Sequence, residues 1–272
     1  MNMLKAKQRP IETDKEWDSG GEVSGRDLSD RVFQRVSAKS VRFIDVDFKY
    51  SVFDDCYFRR CSFDSCDFTG CRFTGTSFPG STFEGCKFDY ATFHGTLIDD
   101  HVLDNCCPSY ENVKLGFART LRMNYQGLGD SVAVNKAILV ELDATGVHLY
   151  KAWRSNDAYY RAKYKGLSRV SAFVKWINFR ALDFVWGNGE SPRKLTRTAV
   201  LMLLGLAAGD TVFYRNPMLV PDWVRALGDA PQVFLGTSPS SYPGLAVAVI
   251  TLARLVVLGL FMSILIRRFA RR

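Results

Sequence analysis

Residues 41–93 read VRFIDVDFKYSVFDDCYFRRCSFDSCDFTGCRFTGTSFPGSTFEGCKFDYATF, and a phenylalanine occupies every fifth position of this stretch. The ladder consists of Phe43, Phe48, Phe53, Phe58, Phe63, Phe68, Phe73, Phe78, Phe83, Phe88 and Phe93, and Ile98 and Leu103 extend it in the same phase. A period of five matches neither an α-helix, with its 3.6 residues per turn, nor a β-strand, with its period of two. The spacing therefore predicts a repeat architecture.

A second restricted position lies two residues before each phenylalanine, where the side chain is small or of medium size. These residues are Val41, Val46, Ser51, Cys56, Cys61, Cys66, Cys71, Thr76, Ser81, Cys86, Ala91 and Thr96. One large and one small inward residue in every five describe a square coil with four five-residue faces, in which the large side chains stack along the centre. Such a solenoid buries its core only by stacking successive coils.

The repeat resembles the pentapeptide-repeat family. This resemblance implies a right-handed quadrilateral β-helix over residues 31–107, with about three coils and a height of ~15 Å at the usual strand spacing. Residues 1–30 are polar and lack both a hydrophobic core and the apolar region of a signal peptide, so we expect a disordered tail there. The family is known for imitating duplex DNA to protect gyrase. Three coils are too short for that role, and we expect no nucleic-acid partner.

The cysteines of the repeat are regularly spaced, but the spacing does not indicate a metal site. Zinc ligands usually come in pairs two to four residues apart. Here Cys56, Cys61, Cys66 and Cys71 fall on four different faces of one coil, at the small inward position. We therefore predict buried thiols that act as small hydrophobic side chains, and no metal. The odd total of seven cysteines and the absence of a secretory signal favour a reducing compartment.

No catalytic set stands out from the sequence. The three histidines, His94, His101 and His148, are scattered, and neither a nucleophile–base pair nor a glycine-rich phosphate loop is present. We predict a protein that is not an enzyme and that needs no cofactor.

Charge is divided unevenly along the chain. The net charge is +8, but residues 41–105 hold eleven acidic and six basic side chains, so the repeat is acidic and the remainder is strongly basic. Residues 108–190 have the pattern of an amphipathic helical linker. Within it, Gly127-Leu128-Gly129 interrupts a first helix, and Asp130-Ser131 offers a cap for a longer one through Trp153.

The last part of the linker, from about residue 156 to residue 185, admits two interpretations. It alternates aromatic side chains with the cations Lys163, Lys165, Arg169, Lys175 and Arg180. Basic residues and tryptophan on one helix suit the headgroup region of a membrane. The same pattern also suits a helical spacer that packs on itself.

Residues 191–272 contain two candidate membrane spans, from Leu195 to Tyr214 and from Leu245 to Ile266. The second has 22 residues, which reach ~33 Å and are enough to cross the hydrocarbon. Arginine and lysine precede the first span and follow the second, whereas the loop over residues 215–244 is balanced. The positive-inside rule therefore predicts a multi-pass membrane protein, with both termini in the cytoplasm and the loop outside.

The hairpin resembles the two-helix module of potassium channels, and the chain as a whole resembles bacterial membrane proteins that join pentapeptide repeats to such a hairpin. This second resemblance implies a bacterial inner membrane. The likeness implies a pore helix at Pro221–Leu227 and a filter-like run at Leu235, Gly236, Thr237 and Ser238. A potassium filter presents consecutive carbonyl oxygens from a Thr-Val-Gly-Tyr-Gly type of run. Here Ser238 stands at the second glycine and is followed by Pro239. The loop is therefore either pore-like or a short connection between two anchors.

Two charges, Arg254 and Asp210, lie within the predicted spans. A charge that faces lipid is costly, so Arg254 needs a partner, for which Asp210, a helix end and a water-filled lumen are the candidates. Two functions follow. The first is an oligomeric channel-like protein, most simply a tetramer, with the repeat as a cytoplasmic sensor or assembly domain. The second is a membrane-anchored scaffold without a pore, whose acidic repeat recruits a cytoplasmic protein.

Overall fold

The computed structural model describes residues 9–237 and 242–270, with the side chains of residues 267–270 left aside. The chain divides into two compact units, Met1–Arg169 and Val170–Arg272. Two parts of the sequence predictions lie outside the described residues: the first eight residues of the expected disordered tail, and Ser238 of the filter-like run.

The first unit begins with short parallel strands. They are β1 Ile11–Thr13, β2 Glu16–Trp17, β3 Glu22–Ser24, β4 Val32–Gln34, β5 Ser37–Lys39, β6 Arg42–Ile44, β7 Val52–Asp54, β8 Tyr57–Arg59, β9 Ser62–Asp64, β10 Arg72–Thr74, β11 Thr82–Glu84 and β12 Thr92–His94. They form three sheets, in the orders β1-β4-β7-β10-β12, β11-β9-β6-β3 and β2-β5-β8. Single bridges between Asp27, Asp47, Asp67 and Lys87 make the fourth face. The predicted β-solenoid is confirmed, with about four turns.

The phenylalanine ladder fills the centre of the solenoid. Strands twenty residues apart pair in register, so Phe43 lies over Phe63 and Phe63 over Phe83. Phe68 is sandwiched between Phe48 and Phe88, with ring centroids 5.0 Å apart on both sides and nearly parallel planes. Every phenylalanine of the predicted ladder is buried. The periodic side chains thus form the core, as the sequence indicated.

The solenoid starts earlier than predicted, and the prediction of disorder is wrong for residues 9–30. Val23, Leu28, Phe33 and Ala38 continue the five-residue phase of the ladder toward the N-terminus, and all but Phe33 have smaller side chains in place of phenylalanine. Before them the pairing offset changes from twenty residues, as in Glu22 with Arg42, to twenty-one, as in Glu16 with Ser37.

One extra residue between β2 and β3 therefore interrupts the five-residue periodicity, so the first coil does not follow the repeat in the sequence. Trp17 still reaches the core, where its ring centroid lies 5.9 Å from that of Phe33 and 5.2 Å from that of Phe43. The coil closes because this indole occupies the inward position that phenylalanine takes elsewhere.

Helices close the other end of the solenoid. They are α1 Val102–Asn105, α2 Glu111–Leu128, α3 Ser131–Arg154 and α4 Ala158–Lys163. Phe117 of α2 stacks on Phe88, at 5.8 Å between centroids, and so continues the aromatic column. The Asn124 side chain accepts a hydrogen bond from the Thr96 N–H and donates one to the Thr96 carbonyl, both at 2.8 Å. Helix α2 is therefore a cap that covers the core and satisfies the last coil's backbone.

The predicted break between α2 and α3 is confirmed. Gly129 ends α2 in the left-handed conformation, with φ of 76°. The Asp130 carboxylate then accepts hydrogen bonds from the N–H groups of Val132 and Ala133, at 3.1 Å and 3.0 Å, and starts α3. This short turn reverses the chain and packs α3 against α2.

The second unit contains most of α5 Leu167–Trp186, a 3-10 turn at Gly187–Gly189, α6 Pro192–Tyr214, α7 Val220–Leu235 and α8 Gly244–Ala270. The Ser191 hydroxyl accepts a hydrogen bond from the Lys194 N–H at 3.3 Å, so the predicted cap is present. The expected pore helix is longer than Pro221–Leu227, because α7 continues to Leu235. Helices α6 and α8 are each long and apolar enough to span a membrane.

Candidate membrane unit

Helix α8 exposes apolar side chains on nearly all sides. Leu245 is 78% exposed, Leu252 63% and Leu258 56%. Water-exposed apolar surface of this extent is unfavourable, and large exposed apolar patches usually mark sites that lipid or protein covers. The surface of α8 therefore fits a hydrocarbon environment.

Helices α6 and α7 meet through small residues and a network of charges. Ala207 packs against Ala226 and Ala230. Beside them the Arg215 guanidinium bonds the buried Asp210 carboxylate and the Asp229 carboxylate, at 2.6 Å each. Asp210 is thus paired with the arginine that ends its own helix, and not with Arg254. The sequence analysis did not single out Arg215, because loop arginines are common and its two partners lie on different elements.

The C-terminus of α7 is closed by a backbone motif. Gly236 adopts the left-handed conformation, with φ of 73°. Its N–H bonds the Val233 carbonyl at 3.1 Å, and the Thr237 N–H bonds the Gln232 carbonyl at 2.9 Å. These two bonds form a Schellman motif, which satisfies carbonyls that a helix end leaves free.

Arg254 supplies the remaining cap of α7. Its guanidinium donates to the Leu235 carbonyl at 2.6 Å. The positive φ favours glycine at position 236, and a side chain there would have to displace the guanidinium from its present position. A cation at the C-terminus of a helix also interacts favourably with the helix dipole. Of the three partners considered for Arg254, the structure therefore selects a helix end.

These contacts bear directly on the filter-like residues. The Leu235 carbonyl is engaged by Arg254, Gly236 serves as a helix cap, and the Thr237 hydroxyl donates to the Gln232 carbonyl at 3.2 Å. A potassium filter depends on a row of free carbonyls, and the Leu235 carbonyl is not free here. The chain has the two apolar helices, but a potassium-channel-like hairpin is not established by them.

The cysteines of the repeat are buried and free, as predicted. Each thiol bonds a backbone carbonyl, for example Cys71 to Phe48 at 2.9 Å and Cys56 to Phe33 at 3.3 Å. Burial raises the pKa of the Cys56 thiol to about 11. Because the thiolate is the nucleophile and the metal ligand, a thiol in this position is chemically inert.

Cys106, for which the sequence offered no role, extends the same arrangement. Its thiol lies at the small inward site of the next coil and bonds the Phe83 carbonyl at 3.6 Å, just as Cys86 bonds Phe63 at 3.4 Å.

Two clusters of polar side chains were not singled out by the sequence analysis. Asp99, Asp100 and His101 hold ligand atoms within 4.8 Å of one another on the surface, where Lys136 also bonds Asp100 at 3.2 Å. In the α3–α4 region, the two ring nitrogens of His148 contact the hydroxyls of Tyr164 at 3.1 Å and Tyr160 at 3.3 Å. Asp99, Asp100 and His101 are consecutive in the sequence, whereas sequence spacing gives no signal for the contacts of His148.

Comparison with known proteins agrees with the fold of the first unit. Residues 25–93 match the model of the pentapeptide repeat region. No curated protein matches the chain. Trypsin-treated QnrB1, a plasmid-mediated fluoroquinolone resistance protein, is similar at 15% identity, with 34% of this chain and 62% of that chain covered and a TM-score of 0.22.

A pentapeptide repeat protein from the Arabidopsis thaliana thylakoid lumen is 17% identical over 36% of this chain and 89% of its own, with a TM-score of 0.14. The match covers less than two thirds of the QnrB1 chain. The solenoid is a pentapeptide repeat region, and the helices after it lie outside the match to the family model.

Proposed function

We propose that this protein is a scaffold of a bacterial inner membrane, anchored by α6 and α8, that presents its pentapeptide solenoid to the cytoplasm. The observation that carries this proposal is the apolar surface of α8, most of which the described residues leave exposed between Gly244 and Ile266. The cations before α6 and after α8 support cytoplasmic ends.

Helix α7 supports a re-entrant arrangement between the two spans. Arg254 lies ten residues after Gly244, which is ~15 Å along α8 and about half of a ~30 Å hydrocarbon layer. Since Arg254 bonds Leu235, the C-terminus of α7 would end at the same depth. The 16 residues of α7 reach only ~24 Å, so this helix would enter the membrane without crossing it.

The same geometry favours a scaffold over a cation channel. The C-terminal end of a helix carries partial negative charge. A re-entrant helix in a cation pore would direct that charge at the permeating ion, but here the Arg254 guanidinium already occupies the position. The Leu235 carbonyl, which would begin a filter, is used by the same contact.

The solenoid carries a feature suited to recruitment of a basic protein surface. Asp64 and Glu84 stand opposite each other on neighbouring strands β9 and β11, and both are exposed. Like charges in this position destabilise a sheet. Among the described residues, neither forms an ion pair. A cationic partner would relieve their repulsion.

Recruitment can be tested with matched charge variants of the full chain in membranes. Asp64→Asn combined with Glu84→Gln should abolish association of the cytoplasmic partner, while Asp54→Asn combined with Asp55→Asn, which changes the same charge on another face, should not. Equal association of both variants would contradict recruitment through β9 and β11.

A second candidate, an oligomeric channel-like protein, is favoured by the re-entrant α7. If Arg254 lined a lumen, a ring of arginines would repel cations and favour anions. Flux assays on the purified protein in liposomes separate the candidates. The scaffold predicts neither potassium nor chloride flux, chloride flux alone would favour the channel-like alternative, and selective potassium flux would refute the assignment of Arg254.

A further inference from the structure

Helix α5 carries an apolar stripe that the described residues of its own unit leave exposed. Its members share a three- and four-residue spacing, continued two turns further on by Phe184, that places them on one side of the helix: Val170, Phe173, Val174, Ile177 and Phe184. All five are exposed, and Val174 and Phe184 remain 59% and 54% exposed. Two phenylalanines and three aliphatic side chains on one exposed face need an apolar environment.

One cation stands at the edge of this stripe and another on the far side of the helix. At ~100° per residue, Arg180 lies about 20° beyond Phe173, whereas Lys175 lies about 100° beyond Val174. Both cations are exposed. Long basic side chains can cover apolar surface with their stems while their charged ends stay in the headgroup layer. An apolar stripe with basic side chains on the remaining surface is typical of a helix that lies in a membrane interface.

The first turns of α6 add a groove with the same chemistry. Pro192, Arg193, Thr196, Arg197, Val200 and Leu201 line a groove of about 470 Å³. Two arginines stand toward the start of the helix, and two aliphatic side chains follow one turn further along it. The Arg197 guanidinium also lies over the Phe184 ring, 4.4 Å from its centroid, so the groove adjoins the stripe. A phosphate next to an acyl chain matches this order of groups.

Direct bonds fix the end of α5 to the start of α6. Lys194 pairs with Asp183 at 2.6 Å. The Thr198 hydroxyl donates to the Val185 carbonyl at 2.8 Å. Arg197 also bonds the Phe184 carbonyl. If α6 enters the membrane after its basic first turns, these contacts hold the C-terminal part of α5 at the membrane surface.

We propose that α5 and the first two turns of α6 form a single docking surface for anionic phospholipid in the cytoplasmic leaflet. The stripe lies at the boundary between headgroups and acyl chains, and Arg193 and Arg197 bind the phosphate group. This inference rests on the proposed membrane insertion of α6. It selects the interfacial interpretation of this segment over a spacer that packs on itself, because the stripe is exposed and adjoins cations at one edge and in the groove.

The position of the stripe can be tested by spin labelling of the full chain in liposomes of phosphatidylcholine and phosphatidylglycerol. The chain carries Cys107→Ser, and its other native cysteines are buried. The spin labels are attached to Ile177→Cys and to the matched exposed control Lys175→Cys. We expect the label at position 177 to be reached by oxygen and shielded from a water-soluble nickel chelate, and the label at 175 to show the reverse. Nickel access at 177 would overturn the proposal. Spin–spin broadening there would also overturn it, by indicating that a second copy covers the stripe.

The choice of lipid can be tested by thermal unfolding in detergent with added lipid. Phosphatidylglycerol should stabilise the parent and the control Arg225→Gln, whose substitution removes the same charge from α7, while phosphatidylcholine should not. Arg193→Gln combined with Arg197→Gln should need roughly 10- to 30-fold more phosphatidylglycerol for the same shift. An unchanged requirement, or an equal effect of inorganic phosphate alone, would refute lipid binding.

Carbonate extraction of the same membranes distinguishes a failure of the proposed membrane insertion from a failure of the docking surface alone. Release of the protein would refute membrane insertion and the docking surface with it. Retention together with failure of both assays above would refute only the docking surface.

Discussion

Replacement of Phe68 by alanine should open a cavity at the centre of the solenoid. The Phe68 side chain is 1% exposed. Its ring stacks on Phe48 and Phe88, and its edges meet Phe53 and Phe63 at centroid distances of 6.2 Å and 5.6 Å. Because those neighbours belong to rigidly paired coils, they can move little to fill the space.

The expected loss of unfolding free energy depends on the size of the lost ring and on how little its surroundings can relax. Substitution of a buried phenylalanine by alanine typically costs ~3–5 kcal/mol of unfolding free energy. The loss of two stacked partners favours the upper part of that range. For a fragment of the size of residues 1–169, ~3–5 kcal/mol corresponds to a fall in melting temperature of roughly 6–20 °C.

Thermal unfolding of residues 1–169, followed by circular dichroism, is a suitable assay. Tyr90→Ala is the matched control, because Tyr90 lies on the same solenoid but is 69% exposed, and it should change the unfolding free energy by no more than ~0.5 kcal/mol. If Phe68→Ala melted within about 2 °C of the parent, the central stack would not be the source of stability.

Other predictions address the cap, the thiols, a histidine and Arg254. Asn124→Ala should destabilise the same fragment by about 1–3 kcal/mol in urea unfolding, because it leaves the Thr96 N–H and carbonyl unsatisfied; an unchanged midpoint would contradict the cap. Cys66→Ser should be milder than Phe68→Ala, and a chelator should leave the melt unchanged; metal-dependent melting would reverse our interpretation of the thiols. Burial lowers the pKa of His148, so the unfolded chain binds its proton first on acidification, and the stability that His148 gives the native state should decline as pH falls below ~6.5. His148→Gln should flatten this slope in denaturation curves measured from about pH 7 to pH 5, and an identical slope would exclude His148 as its source. If the channel-like alternative holds, Arg254→Leu should weaken the oligomer in cross-linking or shift the ion flux toward cations, whereas parent-like behaviour in both assays would exclude a role for this charge in assembly or conduction.

The sequence predicted the solenoid well because each of its coils repeats the same physical requirement. A large side chain at every fifth position is a local pattern that can be recognised without any knowledge of tertiary contacts. The first coil was missed because its sequence departs from the strict five-residue repeat. A one-residue insertion before β3 changed the phase, and Trp17 took a role that phenylalanine has elsewhere.

The cap and the partner of Arg254 could not be predicted in the same way. Thr96 and Asn124 are 28 residues apart, and Leu235 and Arg254 are 19 apart, with no periodicity to join them. The sequence did indicate that Arg254 needed a partner, since an isolated charge in a membrane is unfavourable. Only the folded chain shows that this partner is a backbone carbonyl and that Asp210 is held by Arg215.

The proposed topology has α6 and α8 crossing the membrane and places Met218, in the short segment between α6 and α7, on the outer side. It is tested most directly by an impermeant thiol reagent applied to intact bacterial cells that express Met218→Cys or Tyr90→Cys. Both side chains are exposed in the folded chain, at 88% and 69%. The account predicts that position 218 is labelled in intact cells and that position 90 is labelled only after permeabilisation. Protection of position 218 until the cells are permeabilised, or labelling of position 90 in intact cells, would contradict it.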